Sequence, residues 1–158
     1  ESVLALSKAA IERFPNQPQA HFARALAQMN LGSFELDECI EPARRAIRLG
    51  PRDPALALWN RHIGTCHFMR GEYAEAVTYA RAAQQINPNL PTPPLLLAAS
   101  LALGGRPDEA RAVVDDLLQR NPAARASDVE RFLRPNRNEH IMQARRRWIE
   151  TLHELGLP

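Results

Sequence analysis

The sequence predicts an all-α solenoid of stacked helical hairpins, and three observations predict it. The first is an internal repeat. Gly71, Glu75, Ala76 and Pro88 return as Gly105, Glu109, Ala110 and Pro122 at a constant offset of 34 residues, a period typical of helix–turn–helix repeats. The second is periodicity: apolar residues between these marks fall three or four apart, as on one helix face. The third is punctuation. A glycine closes the first helix of each pair, and a proline stops the second by interrupting its hydrogen-bond ladder.

The elements follow in order. Val3–Arg13, ended by Phe14-Pro15, reads as a half repeat (residues 1–15) holding only a second helix. Pro18–Leu31 and Glu38–Leu49 form the first full hairpin (16–51), Ala55–Met69 and Tyr73–Ile86 the second (52–88), and Thr92–Leu103 and Pro107–Gln119 the third (89–122). Tyr73, Ala76, Val77, Ala80 and Ala83 share one face, as do Ala110, Val113, Val114, Leu117 and Leu118. Ala76 and Ala110 are small because helices cross closely there. Gly71 and Gly105 are expected in the left-handed turn that glycine enters without strain.

The first hairpin departs from the pattern. Gly32 is its turn glycine, but Cys39 stands at the small-residue place about two positions late. Pro42 falls where a helix interior is due, and a proline there costs roughly 3 kcal/mol. A late or kinked helix start is expected, with Ser33–Asp37 as a longer turn. After Pro122 the repeat stops. Ser127-Asp-Val-Glu130 is a capping box opening a short helix that Pro135 ends, and Asn136–Glu139 offers a second cap. Ile141, Arg145, Trp148, Ile149, Leu152 and Leu155 stripe a final helix closed by Gly156, within a capping segment 123–158. Such a helix shields the last repeat, which would otherwise expose an apolar face.

Composition sets the function classes. At 158 residues, with 45% hydrophobic and 24% charged residues, the chain is long enough for one domain with a substantial core. A net charge of +2 does not point to nucleic acid. Even the most apolar segment, Pro93–Leu103, falls short of the roughly 18 residues that span a bilayer. Two cysteines, Cys39 and Cys66, form no framework and suggest a reducing compartment, hence a cytoplasmic protein. The chain opens at Glu1 without Met and is expected to be a fragment of a larger protein.

Residues 1–122 resemble the tetratricopeptide repeat (TPR) family, most specifically at Gly71–Pro88 and Gly105–Pro122. The resemblance implies a right-handed superhelix with a protein-binding role. Two longer strings are more particular: Gly71-Glu-Tyr-Ala-Glu-Ala-Val-Thr-Tyr-Ala-Arg-Ala-Ala with Asn87-Pro-Asn-Leu-Pro91, and the ending Trp148-Ile-Glu-Thr-Leu-His-Glu-Leu-Gly-Leu-Pro158. These look like the C-terminal repeat domain of bacterial class III adenylate cyclases and winged-helix transcriptional regulators. Leu155 stands where that ending carries Ala. The resemblance implies the regulatory module of a signalling protein. A standalone adaptor that binds a peptide in its concave groove is the alternative.

No catalytic residues and no cofactor are expected. A nucleophile needs an oriented base, and nothing marks one beside Cys39, Cys66 or a serine. His62, Cys66 and His67 lie on one helix, with His62 and Cys66 four apart, but two ligands fall short of the three or four of a zinc site, so no metal is expected. Arg145-Arg146-Arg147 with Arg134 and Arg137 forms a basic cluster that most simply spreads around its helix. The concave groove is the stronger candidate, lined by first helices through Phe22, Leu26, Met29, Arg61, His62, Thr65, Phe68, Leu95, Ala99 and Leu103. Domains of this family that hold chaperone tails use a Lys/Asn/Arg set. Ala23, His62 and Leu96 stand near those places and lack it. An apolar groove with one basic spot points to a protein or peptide with hydrophobic anchors, another domain of the parent, or a second copy in a homodimer. Neither nucleic acid nor membrane is an expected partner.

Overall fold

The computed structural model describes residues 2–131, 133 and 138–158. Within them lie eight α-helices: α1 Val3–Arg13, α2 Pro18–Asn30, α3 Glu41–Leu49, α4 Leu56–Met69, α5 Tyr73–Ile86, α6 Thr92–Leu103, α7 Pro107–Arg120 and α8 Glu139–Glu154. No strand occurs among the described residues. The fold is an α-solenoid.

Local chemistry sets the helix ends. Ser2 Oγ accepts from the Ala5 amide at 3.2 Å and caps α1. Prolines open α2, α6 and α7 in their first turns, where a missing amide hydrogen removes no helical bond. Gly71 and Gly105 follow α4 and α6 at φ +77° and +82°, the left-handed conformation in which a side chain is strained.

α3 starts late, at Glu41, as expected, but the segment before it is not a plain turn. A π-helical turn, Leu36–Ile40, runs directly into α3, and Pro42 sits in the first turn of α3 rather than in a helix interior. The wider turn absorbs the extra residues that place Cys39 late, and the proline breaks no helical bond. Only Ser33–Glu35 of the expected long turn remain outside helix.

Successive hairpins stack. The first helices touch one another, α2 with α4 and α4 with α6, so they form the inner layer, with α3, α5 and α7 outside. Ala76 and Ala110 are fully buried where helices cross. The expected short helix after Pro122 is a 3₁₀ turn, Ala126–Arg131. Pro135, Asn136, Arg134 and Arg137 lie outside the described residues. The second cap is made by Asn138, whose side chain accepts from the Ile141 amide at 3.2 Å.

The final helix does more than shield the last repeat. α8 packs on α6 and on the 3₁₀ turn. Its N-terminal end reaches the first hairpin, where a Cβ on Gly32 would collide with the Asn138 side chain. His140 hydrogen-bonds the Met69 carbonyl at 3.2 Å, and its ring packs against Phe34 in a tilted arrangement at 5.5 Å. The chain then ends in a tight turn. Gly156 at φ +94° lets the Leu157 amide return to the Leu152 carbonyl, and the Pro158 carbonyl accepts from the Ala126 amide at 2.7 Å. α8 therefore runs along the inner layer from the first hairpin to the end of the third.

Candidate functional site

The inner face is where partner binding was expected, and α8 occupies much of it. Trp148 is fully buried; its indole lies 4.5 Å from the Phe68 ring, and its N–H donates to the Leu95 carbonyl at 3.1 Å. An aromatic ring with one polar end fits a site that offers an apolar wall and a single carbonyl.

The ten expected groove residues separate accordingly. Met29, Arg61, His62, Thr65, Phe68, Leu95 and Ala99 are buried. Phe68, expected as the main partner contact, instead packs against Trp148 and Tyr73. Thr65 Oγ1 donates to the Arg61 carbonyl of its own helix at 3.0 Å. Phe22 is half-buried, edge-on to His62 at 5.2 Å. Leu26 is exposed and Leu103, like Phe22, is half-buried; Leu26 and Leu103 lie apart. Leu26 belongs to a cleft of about 340 Å³ with Val3, Leu4 and Leu31 at the N-terminal end; Leu103 faces α8.

The missed signal was all-round apolarity. Every residue of α6 from Pro93 to Leu101 is buried; α4 is buried from Trp59 to Met69 as well, although it carries Asn60, Arg61, His62, Thr65 and His67. A helix apolar on all sides is covered on all sides. Segment 92–103, without one charge, needed a neighbour on its inner face, and α8 is that neighbour.

What stays open is a groove flanking α8. One cleft of about 630 Å³ lies between the first hairpin turn and His140, lined by Gly32, Phe34, Glu35, Met69 and Arg70. A second, about 320 Å³, continues along Phe68, Tyr73, Gln143 and Arg147. Its rim is charged. Arg70 pairs with Glu72 at 2.9 Å and Glu35 at 3.4 Å and donates to the Phe34 carbonyl at 3.3 Å, tying the first hairpin to the second. Glu72 also meets His67 Nδ1 at 2.7 Å; this bond, with the Arg70 guanidinium, holds its carboxyl below the usual range. The basic cluster is divided: Arg145 turns inward to Glu130 at 3.6 Å, while Arg146 and Arg147 are exposed beside Glu150.

A second constellation lies in the core. Cys39 and Cys66 are joined in a disulfide that closes 27 residues of sequence, so the expectation of two unpaired cysteines is corrected. His62 lies against both sulfurs. Burial, aided by the Arg61 charge beside it, lowers His62 to about 3, and burial lowers Arg61 to about 10. His62 is therefore neutral near pH 7. Reading α4 alone supplied two of these three residues; Cys39 comes from the π-helical turn.

Comparison with known proteins agrees with the repeat. One tetratricopeptide repeat model matches residues 67–130, and a second matches residues 2–54 and 42–91. A crystal structure of MamA superposes with a TM-score of 0.69 at 15% identity, covering 97% of this chain and 86% of that one, a likeness of fold. No curated protein matches the chain. None of the helices is long and apolar enough to cross a membrane among the described residues.

Proposed function

Because this chain belongs to the tetratricopeptide repeat family, we propose that it is a non-catalytic interaction and regulatory module whose inner face recognises an amphipathic helix. Its repeats, 16–51, 52–88 and 89–122, are the units that present that face. The single observation that supports this is the seating of Trp148 between Phe68 and Leu95: the face already accepts a helix with one aromatic anchor, here its own α8. A partner helix, from another domain, a second copy or another protein, would dock the same way, through apolar anchors rather than the charged rim.

In this reading the chain is the C-terminal part of a bacterial signalling protein, an adenylate cyclase or a winged-helix regulator, and works in the cytoplasm. The resemblance of its repeat strings and of its Gly-Leu-Pro ending supports that setting. A standalone adaptor is the second reading. It is favoured by the exposed Leu26 and Leu31, which extend the binding surface to the N-terminal cleft.

The test uses a fluorescent peptide of residues 138–158 and the intact chain carrying Trp148→Ala. Weakening the resident anchor frees the face, so the variant binds the peptide with saturable anisotropy while the wild-type chain binds it far less. Equal absence of binding by a folded variant and by wild type contradicts the reading.

A further inference from the structure

Three donor groups converge in the core between the first and second hairpins. Cys39 comes from the π-helical turn; His62 and Cys66 lie one turn apart on α4. All three are wholly buried. His62 Nε2 stands 3.5 Å from Cys66 Sγ and 3.8 Å from Cys39 Sγ, and their ligand atoms lie within 4.8 Å of one another. The Cys39 carbonyl is 3.3 Å from the same nitrogen. His62 Nδ1 is buried without a hydrogen-bond partner, so the ring is placed by the two sulfurs and that carbonyl rather than by a bond on its far side. Phe22 closes the ring's flank.

We propose that, when the Cys39–Cys66 disulfide is reduced, the two thiolates and His62 Nε2 form a three-donor site for a thiophilic d¹⁰ cation, zinc(II) or copper(I), so that disulfide and metal are alternative cross-links of the same two elements. The geometry supports it. With metal–sulfur bonds near 2.3 Å and metal–nitrogen near 2.0–2.1 Å, trigonal or tetrahedral angles place nitrogen and sulfur about 3.5–3.8 Å apart. Both observed nitrogen–sulfur separations fall there. Only the two sulfurs must part, to about 3.8–4.0 Å on the same bond lengths. Side-chain rotation allows this across a Cα–Cα distance of 6.3 Å.

The donor set selects the cation class. Thiolate and imidazole suit zinc and copper(I), whereas hard cations prefer oxygen. Two thiolates neutralise zinc(II); with copper(I) they leave one negative charge beside the buried Arg61. The chemistry balances. An external dithiol reduces the disulfide by exchange, giving up two electrons and two protons and becoming a disulfide itself, and Cys39 and Cys66 emerge as thiols. Cation binding then releases both thiol protons to solvent, with His62 entering neutral.

The experiment compares oxidised and phosphine-reduced intact chain without oxygen. Each is titrated with zinc(II) against a chromogenic chelator and, separately, with copper(I) against a copper(I)-specific chelator. The reduced chain is expected to take up one equivalent of at least one cation, and the oxidised chain none. Thermal unfolding of the reduced chain should shift upward when that cation is added. His62→Asn, which leaves both cysteines in place, should weaken binding by more than the roughly 10- to 100-fold that outer-shell changes produce. Failure of the reduced wild-type chain to bind either cation, while circular dichroism shows it folded, overturns the proposal. Equal binding by the oxidised chain or by folded His62→Asn overturns it as well.

Discussion

The Trp148 indole lies 4.5 Å from the Phe68 ring, joining the last helix of the chain to the first helix of the second hairpin across 80 positions of sequence. Both residues are buried, Trp148 completely. Trp148→Ala removes a fully buried aromatic and its hydrogen bond to the Leu95 carbonyl, so it should destabilise the fold by about 3–5 kcal/mol. Trp148→Phe, which keeps most of the apolar volume, should do less damage. Urea denaturation of both variants measures the difference.

The turn glycines give a graded test. Gly71 and Gly105 sit at positive φ with open space where a Cβ would be, so alanine there meets only backbone strain, about 1–2 kcal/mol. Gly32 has the same handedness, but its Cβ would strike Asn138 at the start of α8. Gly32→Ala should therefore cost more than Gly71→Ala, and the excess should disappear when Gly32→Ala is measured in an Asn138→Ala background against that single variant, which already lacks the α8 cap. Equal melting shifts for Gly32→Ala and Gly71→Ala would mean that α8 does not begin against the first turn.

Ala110 has no accessible surface at the crossing of α6 and α7. Ala110→Phe should destabilise by roughly 1–3 kcal/mol or more through overpacking. An unchanged melting temperature would place Ala110 on a different face.

How far the sequence could be read depends on the range of each interaction. The Gly, Ala and Pro marks act within one hairpin and recur, so they locate α4 to α7 nearly to the residue. Pro42 also carried a local message, and the chain answered it with a π-helical turn instead of a simple delay. The site was less legible because it depends on contacts between distant segments. Phe22, Phe68 and Leu95 fall on first helices by the repeat spacing, yet nothing local says that α8 returns over the inner face. The uncharged run of α6 was the available sign of a cover on both sides. Cys39 carried a similar sign: it stands at the small-residue place where Ala76 and Ala110 are buried, which directs it toward the next helix and thus toward His62 and Cys66.

The hydrogen bond between Glu72 and His67, with the Arg70 guanidinium beside it, predicts an acid response. A carboxyl depressed in the fold adds stability that is present above its unfolded value, about 4.3, and is lost as pH falls through the lower folded value. Glu72→Gln should therefore be less stable than wild type at pH 7, by under about 1 kcal/mol for so exposed a group. The gap should narrow below pH 4. A gap that stays constant from pH 7 to pH 3 would show that the carboxylate charge plays no part.

Occupation of the inner face of the solenoid by α8, through the Trp148 anchor, is read out by nuclear Overhauser spectroscopy of the intact, isotope-labelled chain. Strong cross-peaks are expected between the ring protons of Trp148 and Phe68, with a Trp148 indole N–H that exchanges slowly because it is bonded to the Leu95 carbonyl. Absence of those cross-peaks, with a fast-exchanging indole proton at a solvent-exposed shift, would contradict it.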